Sequence, residues 1–142
     1  MQFNLDKNKF NKPIVFLGLP GIGLVGKLAI DTLAKQTKAK KIGEFKADYF
    51  PPMVFVDDKG KVNDSHNDIY YFKTRKQEFI FICGDFQPNL DSPESFTLHH
   101  LFAKYIGEFI KKINAKEVYS IAGINVGDAR ITKAPELFFA AN

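Results

Sequence analysis

The chain has 142 residues, 45% of them hydrophobic and 25% charged, with a formal net charge of +4 and a pI near 9.1. That is the size and balance of one folded domain with its own core, and it excludes a disordered chain. The single Cys83 excludes a disulfide framework and a four-cysteine zinc site. No apolar run approaches the ~18 residues that span a bilayer, and the opening MQFNLDKNKFNKP lacks the apolar core of a signal peptide. A lone cysteine fits a reducing cytoplasm, which is the expected compartment, and no membrane partner is expected.

The positive charge is uneven. Residues 1–46 carry nine Lys against Asp6, Asp31 and Glu44. Such a basic third reads as a solvated face or as a surface for an anionic partner. Arg75 and Arg130 lie far apart and form no recognisable nucleic-acid module, so nucleic acid is not an expected partner.

In chain order, PIVFLG at 13–18 reads as a strand buried on both faces. A glycine-rich turn follows it. Leu24, Val25, Leu28, Ala29, Thr32 and Leu33 then recur at helical spacing, predicting a helix from near Ile22 to Lys38. Residues 40–46 read as a shorter strand. Phe50-Pro51-Pro52 is a breaker, and Met53–Val56, a turn with Gly60 in the left-handed position, and Lys61–Val62 read as a hairpin. Residues 69–74 and 78–83 read as two strands, the second fully apolar.

A helix is predicted next, with Ser92 as N-cap, Pro93 at its first position and Asn114 as a left-handed stop. Its apolar stripe is Leu98, Leu101, Phe102, Tyr105, Ile106, Phe109, Ile110 and Ile113. Glu117–Ala122 reads as a third buried strand, and Leu137–Ala140 as a last one. Two strand–helix–strand units imply an α/β domain over residues 1–142. Its sheet is expected to be mixed and mainly parallel, with helices on both faces and crossovers returning to neighbouring strands.

The strongest motif is Gly18-Leu19-Pro20-Gly21-Ile22-Gly23-Leu24-Val25-Gly26-Lys27, at the first strand–helix junction. Gly21, Gly23 and Gly26 match a dinucleotide fingerprint, whose ribose-binding acid would be Glu44. Gly21-x4-Gly26-Lys27 also begins a phosphate loop, but Leu28 stands where magnesium needs Ser or Thr. The architectural alternative is close packing of helix on strand. Asp85, Gln87 and Asn89 follow one strand end, and Asn125 and Asp128 another. In open α/β sheets ligands bind beyond the carboxyl ends of strands. The candidate binding loops are therefore Gly18, Pro20, Gly21, Gly23, Gly26 and Lys27 together with Asp85, Gln87, Asn89, Asn125 and Asp128. Cys83 reads as a buried small hydrophobe and His66 as solvated. His99 and His100 are adjacent on a helix and cannot share a metal. No zinc arrangement, catalytic constellation or cofactor is expected.

The segments Gly18–Gly26, Asp48-Tyr49-Phe50-Pro51-Pro52 and Gly84-Asp85-Phe86-Gln87-Pro88, in that order, resemble the proteasome assembly chaperone 2 family in its archaeal-type form. The resemblance runs over essentially the whole chain. It implies a fold similar to the purine nucleoside phosphorylase group without that group's catalysis. It also implies a non-enzymatic, self-associating cytoplasmic protein that binds 20S proteasome α subunits. Family members dock through a hydrophobic-Tyr-any tail. This chain ends Phe138-Phe139-Ala140-Ala141-Asn142, so the expectation is a chain lacking the C-terminal part of the family's full domain. The alternative reading is a nucleotide- or phosphometabolite-binding enzyme or sensor built on the glycine turn.

Overall fold

The computed structural model describes residues 2–5, 10–48, 50–56, 58–88, 93–125 and 137–141. Its elements are β1 (Gln2–Leu5), β2 (Ile14–Gly18), a 3-10 turn (Ile22–Leu24), α1 (Val25–Gln36), β3 (Lys40–Lys46), β4 (Val54–Val56), β5 (Val62–Asp64), β6 (Asn67–Lys73), β7 (Glu78–Gly84), α2 (Ser95–Lys112) and β8 (Glu117–Ser120). Six strands form one sheet in the order β1-β3-β6-β7-β2-β8, and β4 and β5 form a separate hairpin.

Strict alternation along the central strands builds two cores, one on each face. Val15, Ile69, Ile80 and Ile82 face α2 and pack with its Phe102, Ile106, Phe109 and Ile113. Phe81 and Cys83 face the other way and pack with Ile30 and Ala34 of α1. Phe16, Tyr70, Phe72 and Phe79 flank that second cluster. The helices therefore cover opposite faces, as the sequence predicts. The reason is topological. The connection from β2 runs through α1 to β3, and that from β7 runs through α2 to β8, in opposite directions across the sheet. Right-handed crossovers then leave on opposite sides.

Four expectations need correction. The sheet is mixed but not mainly parallel: β2 pairs parallel with β7 and β8, while β1–β3, β3–β6 and β6–β7 are antiparallel. Neither crossover returns to a neighbour: β6 and β7 lie between β2 and β3, and β2 lies between β7 and β8. Strand β8 is not buried but lies at the sheet edge, with Val118 and Tyr119 43% and 47% exposed. Leu137–Ala140 forms no strand and is exposed.

Helix α2 begins at Ser95 with Glu94 as its capping residue, later than predicted; Ser92 lies outside the described residues. Its stop is as predicted, with Asn114 at φ 53. Strand β1 pairs antiparallel with β3 and had no counterpart in the sequence reading.

Candidate functional site

Because β7, β2 and β8 are parallel neighbours, their carboxyl ends meet at one sheet edge, with Gly18 opposite Cys83 and Leu17 opposite Ser120. The Ile121 N–H donates to the Leu17 carbonyl at 2.9 Å and carries the pairing one step further. The glycine turn, the loop after β7 and the loop after β8 all start from this edge. Asn89 and Asp128 lie outside the described residues.

Gly18 and Gly26 of the turn, with Gly123 beyond β8, serve packing. A β-carbon on Gly18 would stand 2.1 Å from the Gly26 carbonyl oxygen, and one on Gly26 would stand 2.0 Å from that of Ile121. One on Gly123 would stand 2.2 Å from the Ile22 carbonyl oxygen. These three bring α1, β2 and the loop after β8 into backbone contact. Gly23 instead supplies a positive φ of 64°, and Leu24 follows at 54°. That pair turns the 3-10 segment into α1; the left-handed Leu24 costs about 1–2 kcal/mol. Gly21 is extended, and a β-carbon there would meet nothing within 4 Å.

Lys27 joins two parts of the predicted site. Its ammonium lies 3.2 Å from Asp85 and also bonds Asp31 within α1. Burial pushes the ammonium's pKa down, but the two carboxylates outweigh it and hold it above its ordinary value. A lysine so paired is not poised for a phosphate. Glu44 is not beside the glycine turn either: β3 is separated from β2 by β6 and β7. Pro20 and Gln87 are half-buried, and Asn125 is exposed beyond β8.

Around the turn the surface is apolar. Ile22, Val25, Leu28 and Ile124 are 57%, 48%, 54% and 65% exposed. Such clustering is a mark of protein–protein surfaces. Across the same edge, buried Asn67 holds the loop after β7: its Nδ2 donates to the Phe86 carbonyl at 2.8 Å, and its Oδ1 accepts from the Phe86 N–H at 3.2 Å. Phe86 then meets Phe55 of the hairpin edge-on at 5.3 Å. A cavity of about 290 Å³ opens there, lined in part by Phe55, Phe86, His66, Asp68 and Asp85.

His66 is not simply solvated. It is half-buried, with Nε2 3.3 Å from Asp68 Oδ1 and 3.9 Å from Glu44 Oε2. The sequence reading missed this group. Glu44 and Asp68 are cross-strand partners, and His66 stands two residues before Asp68, hence on the same face. A His-x-Asp at a strand start was the visible signal, but only the β3–β6 register adds the glutamate.

A family model for the PAC2 family matches residues 15–142. The uncharacterized protein MJ1210 of Methanocaldococcus jannaschii is 30% identical over 122 residues, which are 86% of this chain and 45% of that protein. Among solved structures, Pyrococcus furiosus PbaB, an archaeal proteasome activator, superposes with a TM-score of 0.75 at 29% identity, over 84% of this chain and 49% of that one. Pyrococcus furiosus PbaA, an archaeal homolog of proteasome-assembly chaperone, does so at 0.62 and 30% identity, over 89% and 50%. The chain thus spans about half the length of these relatives. Among the described residues, no helix is long and apolar enough to cross a membrane.

Proposed function

The chain belongs to the PAC2 family, and from that premise we propose that it is a non-enzymatic, chaperone-like binding protein of the proteasome system. The observation that carries the reading is the family match over residues 15–142, alongside the likeness to an archaeal proteasome activator. In this reading the protein self-associates in the cytoplasm and engages α subunits of the 20S particle. Its fold is similar to the purine nucleoside phosphorylase type. The working surface is the sheet edge of the glycine turn, Lys27, Asp85 and the loop after β8. Two features support that choice. Gly18 and Gly26 are spent on packing, and Lys27, the lysine of the glycine turn, is paired with Asp31 and Asp85 rather than open to a phosphate ligand. Ile22, Val25, Leu28 and Ile124 give it an apolar surface suited to a protein partner.

The test is co-sedimentation of the chain with purified archaeal 20S proteasome, with light scattering of the chain alone. Binding that Val25→Asp or Leu28→Asp weakens supports the proposal. A chain that ignores the 20S particle, or binds it equally well with both aspartates, refutes this assignment of surface and function.

A further inference from the structure

We propose that Glu44, His66 and Asp68 form a site for a divalent transition-metal ion such as Zn²⁺ or Co²⁺. Strand register builds the site. Glu44 on β3 lies directly opposite Asp68 on β6. Alternation places His66 and Asp68 on one face, that of Tyr70 and Phe72. One donor atom from each of the three residues lies within 4.8 Å of the others.

The spacing suits a tetrahedral ion. With metal–ligand bonds of about 2.1 Å, neighbouring ligand atoms in a tetrahedron stand about 3.4 Å apart. His66 Nε2 stands 3.3 Å from Asp68 Oδ1 and 3.9 Å from Glu44 Oε2. A backbone carbonyl already orients the imidazole. Its Nδ1 lies 2.6 Å from the Asp64 carbonyl oxygen, which can only accept, so Nδ1 carries the proton. Nε2 then faces the two carboxylates, so that a metal ion at their meeting point would have one donor from each of the three residues. A backbone carbonyl holding the far ring nitrogen is the usual support of a metal-bound histidine.

Asp68 is held in place at both oxygens. Its Oδ1 is closed off from solvent and paired with the Lys41 ammonium at 2.6 Å. Its other oxygen accepts from the Tyr70 hydroxyl at 2.9 Å, which fixes the carboxylate's orientation. Lys41 is the resting counter-charge, and Lys46 adds to it 3.6 Å from Glu44. Both lysine side chains are 44% exposed and can withdraw into water when a metal enters. The cavity lined by His66, Asp68 and Asp85 gives the ion its entry and room for a water as fourth ligand.

The experiment uses the chain after treatment with a chelator. CoCl2 is titrated while visible absorption is followed, and ZnCl2 is titrated by calorimetry. Wild type should develop the intense visible band of four-coordinate Co²⁺. His66→Ala and Asp68→Asn should weaken both metals by about tenfold or more. Lys41→Ala removes the competing ammonium and should tighten binding. Circular dichroism checks the fold of each variant. If the two ligand variants unfold, the Lys41→Ala result decides. The proposal is overturned if neither wild type nor Lys41→Ala gives the band, if Lys41→Ala does not tighten binding, or if folded His66→Ala binds like wild type.

Discussion

Gly26 of α1 rests against the backbone of Ile121, just beyond β8, so closely that a β-carbon would stand 2.0 Å from the Ile121 carbonyl oxygen. The obstacle is main chain on both sides and cannot rotate away. Gly26→Ala should therefore destabilise by about 1–3 kcal/mol despite alanine's better helix propensity. Gly21→Ala, in extended backbone with open space around it, should change stability by under about 0.5 kcal/mol. Urea denaturation of the pair checks this. Equal losses at both positions would show that the turn is not held by packing.

Asn67 is fully buried and satisfies both the carbonyl and the N–H of Phe86. Asn67→Ala leaves those two backbone groups without partners, at about 1–3 kcal/mol each. Asn67→Asp keeps the shape but presents an acceptor to the Phe86 carbonyl, and it should also destabilise. Thermal melts of both variants give the comparison, and a melting point within a degree of wild type for Asn67→Ala would contradict it.

Glu78 should be an acid trigger. Burial pushes its carboxyl up, but the Asn11 N–H, the Lys73 ammonium and the Tyr71 hydroxyl outweigh burial and hold it below its ordinary value of 4.5. A group depressed in the folded state stabilises it fully above the unfolded-state pKa. That contribution is lost as pH falls through the folded value. Stability should thus decline below about pH 5, and Glu78→Gln should lessen the decline while lowering stability near pH 7. Urea midpoints between about pH 3 and 7 measure both effects. A decline as steep in Glu78→Gln as in wild type would rule this carboxylate out as a contributor.

Cys83 is 2% exposed, and burial pushes its thiol pKa far up, with the nearby Asp31 adding to the shift. A thiol held protonated is a poor nucleophile. An aromatic disulfide reagent should label it only as fast as the protein opens, and at once in urea. Rapid labelling of the native chain would place the thiol at the surface.

Much of this architecture was legible in the residues. The runs 13–18 and 78–83 and the stripe from Leu98 to Ile113 announce β2, β7 and α2, because burial on both faces or along one stripe forces such patterns. Pairing was not legible. Residues 69–74 look alike whether they extend a local hairpin or, as β6, join β3 to β7 within the main sheet. The run at 117–122 is as apolar as a central strand, yet β8 lies at the edge; composition records which residues favour cover, not which receive it. The loops that follow β2 and β7 start side by side because those strands are parallel neighbours, and the Lys27–Asp85 pair joins the two. The grouping of Glu44 with His66 and Asp68 depends on a register between strands more than twenty residues apart, which no local pattern encodes.

The parallel pairing of β2 with β7 joins Ile14 to Phe79. During synthesis the first of these strands must wait for some 65 further residues before its central partner exists. Its apolar side chains, and the inner face of α1, spend that interval without their final contacts. Closing so long a loop before any reward arrives makes folding slow and leaves sticky segments exposed. A protein grouped with assembly chaperones would itself be open to rescue by one while it is being made.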